Sequence, residues 1–256
     1  FNEVTNRLEV MLNVTDASGV KYHELARDQQ IKFSKSRAKE VHGLLDLGAY
    51  KLLSISESIE FARKYPQYVL PTKWVDRYKG KDDGTADAKS RVVILGFMDP
   101  HVLQLERSAP TPTNEAFTSE MQMMASLNRE AVSSDISNAF GQSRRTNRTQ
   151  KLAGRLPPGL KEAGFDVDPR QLLLCETEVY GLISGPSWLR QSIIADFRKF
   201  GIIRNTYDRC VLTFPPPVRA DSQFNSGALM LEVDDIFEGG DRHHKKAIEG
   251  FYTKYK

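Results

Sequence analysis

The chain has 256 residues, of which 40% are hydrophobic and 27% charged. That is the ordinary composition of a soluble globular protein, long enough to bury one large core or two modest ones, and no internal repeat or true low-complexity tract appears along the chain. A net charge of +3 permits a polyanionic partner without requiring one, and no apolar run approaches the ~18 residues of a membrane span.

Residues 1–63 read as mostly helical and polar, with Ile31, Ala38, Val41, Leu44 and Leu45 forming one apolar stripe. The glycines and aspartates of residues 80–86 mark a loop. Residues 91–97 (RVVILGF) read as a buried strand closed by Gly96. After the turn-rich residues 108–113, a helix is expected with Asn114 as N-cap and Glu115 in its first turn. Phe117, Met121, Met124 and Leu127 fall on one face of that helix and read as core. Residues 131–136 form a short apolar segment carrying Ser133, Ser134 and Asp135, and a helix start follows near Asn138.

Between Ile136 and Lys161 there is no Asp or Glu, while Arg144, Arg145, Arg148, Lys151, Arg155 and Lys161 lie in that stretch. On composition alone this is a solvated basic loop. The block Pro157, Pro158, Gly159 is a turn. Pro186 suits the first position of a helix that presents Leu189, Ile193 and Phe197 together and stops at Gly201. Residues 210–214 form a strand, and the proline-rich residues 215–225 a loop. The segments 228–231 (ALML) and 236–237 are apolar and enclose Glu232, Val233, Asp234 and Asp235, the pattern of a β-hairpin with an acidic tip. His243, His244, Lys245 and Lys246 open a basic helix. The two histidines are adjacent, share no helix face, and read as surface residues.

The two cysteines, Cys175 and Cys210, lack zinc-site spacing and suggest a reducing compartment. The chain starts at Phe1 and ends at Lys256 inside a charged, helix-like stretch, so both ends read as cuts from a longer polypeptide.

Aspartate is a good turn residue, which is one account of Asp234 and Asp235. A second account is chemical. Asp135 ends another short apolar segment, and neighbouring strands would bring it to the same sheet edge as Asp234. Clustered carboxylates repel and resist desolvation, so a fold that keeps them implies a cation. Mg²⁺ takes oxygen ligands, often one or two carboxylates plus substrate phosphates. Two such ions assist in-line phosphoryl transfer, which needs mainly positioning and charge neutralisation.

From about residue 69 onward, the order of short motifs resembles the reverse transcriptase domain of copia-type retrotransposons. Lys73-Trp74-Val75 with Arg77-Tyr78-Lys79 resembles the family's opening strand, and Lys89-Ser90-Arg91-Val92-Val93 with Gly96-Phe97 its next one. Ala109-Pro110, Pro157-Pro158-Gly159-Leu160 and Tyr207-Asp208-Arg209-Cys210 resemble further family blocks. Asp135-Ile136-Ser137-Asn138-Ala139-Phe140 resembles the family's first catalytic motif, Tyr180-Gly181-Leu182 with Pro186 the block lining the nucleotide pocket, and Glu232-Val233-Asp234-Asp235 the catalytic hairpin.

The resemblance implies an α+β fold of right-hand polymerase type, fingers and palm, with an antiparallel palm sheet, packed helices and no thumb. It implies a lead-in at 1–63, fingers at 64–134 and a palm at 135–256 with a fingers-like insertion near 141–185, ending before the primer grip. It implies an RNA-directed DNA polymerase using Mg²⁺ or Mn²⁺, with Asp135, Asp234 and Asp235 catalytic and Asp135 and Asp234 holding metal. Arg91 and Tyr180 would bind the incoming nucleotide, the Arg fork matching phosphate oxygens, and Phe140 would select deoxyribose. Arg144, Arg145, Arg148 and Lys151 would contact backbone phosphates. Implied partners are an RNA or DNA template with its primer, deoxynucleoside triphosphates, and integrase and RNase H domains of a polyprotein. The implied location is a cytoplasmic virus-like particle.

Three departures favour an alternative, a catalytically weakened descendant serving as scaffold or nucleic-acid-binding subunit. Glu232 replaces the family's aromatic and, by strand alternation, is expected to share a face with Asp234. Trp188 comes one residue early. The chain stops before the family's primer grip and thumb.

Overall fold

A computed structural model describes residues 20–81, 83–216 and 225–255. In chain order the described elements are α1 (Arg27–Asp46), β1 (Tyr50–Leu52), α2 (Ile55–Lys64), β2 (Val69–Leu70), β3 (Thr72–Gly80), β4 (Ala86–Ile94), α3 (Asn114–Ser126), β5 (Ala131–Asp135), α4 (Ala139–Gln142), β6 (Ala153–Arg155), β7 (Leu172–Cys175), α5 (Gly185–Lys199), β8 (Ile203–Arg204), β9 (Val211–Phe214), β10 (Gly227–Glu232), β11 (Asp235–Gly240) and α6 (Arg242–Lys254). The fold is mixed α+β. No helix among the described residues is long and apolar enough to cross a membrane.

The chain divides into two compact units. The first runs to Val102 and takes in Asn147–Leu182; the second holds Leu103–Thr146 and Ile183–Lys256. Residues 103–134, grouped with 64–102 on sequence, therefore belong to the second unit. The described residues before 64 are part of the first unit rather than a separate lead-in, since β1 pairs with β7. Residues 1–19 of that expected helical stretch lie outside the described residues.

In the first unit, a four-stranded sheet has the order β1-β7-β6-β2, and β3 and β4 form a two-stranded ribbon. A strand with an unpaired edge must satisfy or shield its backbone groups. Helix α1 does this for β4. Ser36 Oγ accepts the Ser90 N–H at 2.9 Å, and one turn later the Glu40 carboxylate accepts the Val92 N–H. The buried face of α1 is therefore Phe33, Arg37, Glu40, Val41 and Leu44. Val41 and Leu44 of the expected stripe lie on it, whereas Ile31 is half exposed. Apolar periodicity missed Arg37 and Glu40 because they are charged. Arg37 survives burial by pairing with Asp76 on β3 at 2.5 Å, and Phe33 meets Tyr78 edge-on with ring centroids 5.1 Å apart. The core behind gathers Leu44, Tyr50, Leu70, Val92, Ile94, Leu152 and Leu173.

The second unit is built on a five-stranded antiparallel sheet of order β5-β11-β10-β9-β8. Helix α3 is capped by Thr113, whose Oγ1 accepts the Ala116 N–H at 3.2 Å, one residue before the expected Asn114. Its buried residues are Ala116, Glu120 and Met124, while Phe117 and Met121 are partly exposed. Phe117 instead lies against Phe237, centroids 5.4 Å apart. Helix α5 has Pro186 in its first turn and buries Leu189, Ile193 and Phe197 as the spacing predicts. Phe197 stacks on Phe251 of α6 at 3.9 Å. Each such ring contributes about 1.5–3 kcal/mol of burial.

Helix α6 corrects one expectation. Asp241 caps it by accepting the His243 and His244 N–H groups, and His244 is not a surface residue but 0% exposed. Its imidazole fills a notch between the paired Gly227 and Gly240, where a Cβ at either glycine would come within 2.3–2.4 Å of the ring. There Nε2 meets Glu238 Oε2 at 2.5 Å. The absence of two side chains, not helix periodicity, decides where this histidine goes.

Candidate active site

The acidic tip forms where β10 turns into β11. The register pairs Glu232 with Asp235 and leaves Val233 and Asp234 as a two-residue turn. Val233 sits at φ +55°, a conformation that costs an L-residue roughly 1–2 kcal/mol and is least suited to a β-branched one. Strain of this kind persists where the surrounding structure over-determines it, and it clusters at functional sites.

Strand β5 pairs with the other edge of β11, and Asp135 stands directly opposite Asp235. The Ile136 N–H donates to the Asp234 carbonyl at 3.1 Å, tying the end of β5 to the turn. Residues directly opposite in antiparallel strands project to one face. Glu232, Asp235 and Asp135 thus form a row across three strands. Asp234 reaches β5 through its backbone, so the direct partner of Asp135 is Asp235. The expectation that Glu232 shares a face with Asp234 is also corrected. Alternation holds only while the chain is extended, and the turn interrupts it after Glu232. Asp135, Asp235 and Glu232 are exposed and Asp234 half-buried.

Among the described residues, no three His, Cys, Asp or Glu side chains cluster closely enough to hold a metal ion. The donor set is thus not an all-protein cage. An exposed pair of hard oxygen donors at a sheet edge does suit the other mode, in which Mg²⁺ is held by one or two carboxylates and completed by substrate phosphates and water. Phe140 lies in α4, a single turn entered through Asn138 at φ +49°, and is 8% exposed.

In the first unit, Arg91 and Tyr180 come together although 89 positions separate them. The guanidinium of Arg91 lies 4.8 Å from the Tyr180 ring centroid, a cation–π arrangement on an exposed residue. The Tyr-Gly block is held by backbone bonds: the Ile94 N–H donates to the Tyr180 carbonyl at 3.0 Å and the Gly96 N–H to the Gly181 carbonyl at 3.2 Å. Gly181 is at φ +90°, and a Cβ there would fall 2.0 Å from the Ile94 carbonyl oxygen. Only glycine permits this approach.

The basic run divides between the two units. Arg148 is largely buried, with Nε and Nη2 on Glu178 at 2.6 and 2.9 Å and Nη1 on Asp99 at 2.7 Å. Burial works against its charge, but Glu178 and Asp99 outweigh that and raise its pKa further. Lys151 donates to Glu176 at 2.7 Å. Both of these charges are matched inside the first unit. Arg144 and Arg145 belong to the second unit and are exposed.

The protein-family models contain no match to this chain, and no curated protein matches it.

Proposed function

We propose that the chain is the fingers-and-palm core of an RNA-directed DNA polymerase of copia retrotransposon type. The observation that carries this reading is the register setting Asp135 opposite Asp235 beside a strained two-residue turn. The second unit would be the palm. Asp135 at the end of β5 and Asp234 in the turn before β11, with Asp235 assisting, would hold Mg²⁺ or Mn²⁺, which when bound supplies charge neutralisation for phosphoryl transfer. Asp135 and the Asp234-Asp235 pair would orient the primer 3′-hydroxyl and the α-phosphate of the incoming deoxynucleoside triphosphate. Phe140, close behind Asp135 in sequence, would restrict the sugar to deoxyribose.

The first unit would supply the fingers. Arg91, steadied by Tyr180, would hold the triphosphate with a bidentate fork. Arg144 and Arg145 are the members of the basic run proposed to meet template or primer phosphates. Partner integrase and RNase H domains and a cytoplasmic virus-like particle belong to the same proposal.

Glu232 motivates a second reading. A third carboxylate in the row adds repulsion, and in a non-catalytic descendant that serves as a scaffold no substrate would have to be accommodated there. Primer extension on a homopolymer RNA template with Mg²⁺ decides between them. Incorporation by the wild type that vanishes in Asp234→Ala supports the polymerase. No incorporation by the folded protein in its native sequence context, together with no melting shift on adding Mg²⁺ and nucleotide, moves the assignment to the scaffold.

A further inference from the structure

Arg144, Lys199 and Lys254 come from three separated parts of the second unit: the segment after α4, the end of α5 and the end of α6. All three reach one carboxylate. Lys199 donates to Asp196 Oδ1 at 2.6 Å, Lys254 donates to Oδ2, and the Arg144 guanidinium stands 3.8 Å from Oδ1. The Tyr255 hydroxyl adds a bond to Oδ2 at 2.7 Å. Burial opposes ionisation of Asp196, but hydrogen bonds from Lys199, Lys254 and Tyr255 hold its pKa at about 2. The Asp196 side chain is 1% exposed, whereas those of Arg144, Lys199 and Lys254 are 45%, 64% and 47% exposed.

A tertiary clasp between α5 and α6 accounts for part of this arrangement. Both helices end here, and each C-terminus carries about half a negative charge. Together with Asp196 they balance about two of the three cations. The surplus charge has no role in a clasp, and all three side chains are open to an anion from solvent. Arg144 is also fixed at its backbone: its N–H donates to Ser192 Oγ at 3.2 Å, and its carbonyl accepts the Trp188 indole N–H at 2.9 Å. Its guanidinium therefore starts from a held point. Asp196 is the only acid in α5, and the neighbouring Arg145 and Arg198 are exposed.

This surface is on the α6 side of the sheet. Tyr252 of α6 meets Ser134 at 2.5 Å, and His244 meets Glu238. Ser134 and Glu238 alternate with Asp135 and Phe237, so α6 covers the face opposite the carboxylate row.

We infer that Lys199 and Lys254, gathered with Arg144 by Asp196, extend the phosphate contact proposed for Arg144 into a docking surface for the phosphodiester backbone of a nucleic acid, on the face of the sheet opposite the carboxylate row. The identity of the anion rests on the polymerase reading above. The surface itself rests on the three cations and their shared anchor. Neutralising several phosphates releases counterions, so such binding weakens steeply with salt.

The test is fluorescence anisotropy of a labelled primer–template duplex without Mg²⁺ across a salt series, comparing wild type, K199Q/K254Q and K199R/K254R. The glutamine variant is expected to bind about tenfold more weakly near 50 mM salt, with the log–log salt slope reduced by about 2. The arginine variant should bind like wild type, which a purely structural role of the lysine geometry would not produce. R144Q, which gives up no hydrogen bond to Asp196, should reduce the slope by about 1 and serves if the double variant does not fold.

Unchanged affinity and slope in the glutamine variants overturn the inference. So does binding to vesicles of anionic phospholipid, lost in the same variants, without binding to the duplex. If wild type binds with this residue dependence but fails to incorporate nucleotide, only the enzyme reading falls. If it incorporates nucleotide and the variants bind normally, only this surface falls.

Discussion

Asp135 closes strand β5 directly opposite Asp235, the first residue of β11. Like charges directly opposite across a strand pair destabilise a sheet, by a few tenths to about 1 kcal/mol. The fold accepts that cost at the edge where metal-dependent chemistry is proposed. Asp135→Asn is therefore expected to abolish incorporation while leaving stability unchanged or raised by up to about 1 kcal/mol. Paired primer-extension and urea-unfolding measurements check both halves. A destabilised, inactive variant would point to a structural role for Asp135 instead.

Val233 should behave in the same sense. A glycine relieves the cost of φ +55°, so Val233→Gly is expected to stabilise the protein by about 1 kcal/mol after allowing for the extra chain entropy of glycine. Incorporation should fall, because the looser turn no longer fixes Asp234 and Asp235. Urea midpoints that drop would show that the turn is not strained.

Arg148 is predicted to act through stability alone. Arg148→Ala leaves Asp99 and Glu178 buried and uncompensated, at a cost of about 3–5 kcal/mol. Neutralising both acids as well, in D99N/E178Q/R148A, should recover part of that loss. If Arg148→Ala were stable and merely weakened nucleic-acid binding, the buried triad would not be its role.

Glu40 gives a pH dependence with a definite sign. Burial raises its pKa above the ordinary value of 4.5, against the pull of Lys89, Arg91 and the Val92 N–H. A carboxyl whose folded pKa is raised contributes stability that is fully present below the unfolded value and lost as pH rises through the folded one. Stability should therefore decline from about pH 4.5 upward over that window. Glu40→Gln keeps the acceptor for Val92 and should flatten this part of the profile, with equal or greater stability at neutral pH. A profile identical to wild type would remove Glu40 as its source.

Where a single element carried its own signal, the sequence was enough. The Leu189, Ile193 and Phe197 face of α5, Gly201 as its stop, the strand ending at Asp135 and the hairpin enclosing Glu232–Asp235 all follow from 3.6- or 2-residue periodicity and turn chemistry. The signals that failed were those whose partner lies elsewhere in the chain. Helix α1 buries Arg37 and Glu40 because Asp76 and the free edge of β4 are there to receive them. His244 is buried because Gly227 and Gly240 leave room for it.

The candidate site divides in the same way. Its residue types, the Asp135 and Asp234-Asp235 carboxylates and the Arg91 and Tyr180 pair, stand in the sequence in a recognisable order. Which of them face one another does not. Register made Asp235 the partner of Asp135 and put Glu232 in the same row. The basic run reads as one feature in sequence, yet Arg148 and Lys151 are matched by acids of the first unit while Arg144 joins Lys199 and Lys254 on Asp196. Local chemistry sets what each segment can form. Pairing between distant segments is decided by which buried charge and which empty volume each finds, and that exists only once the chain has folded.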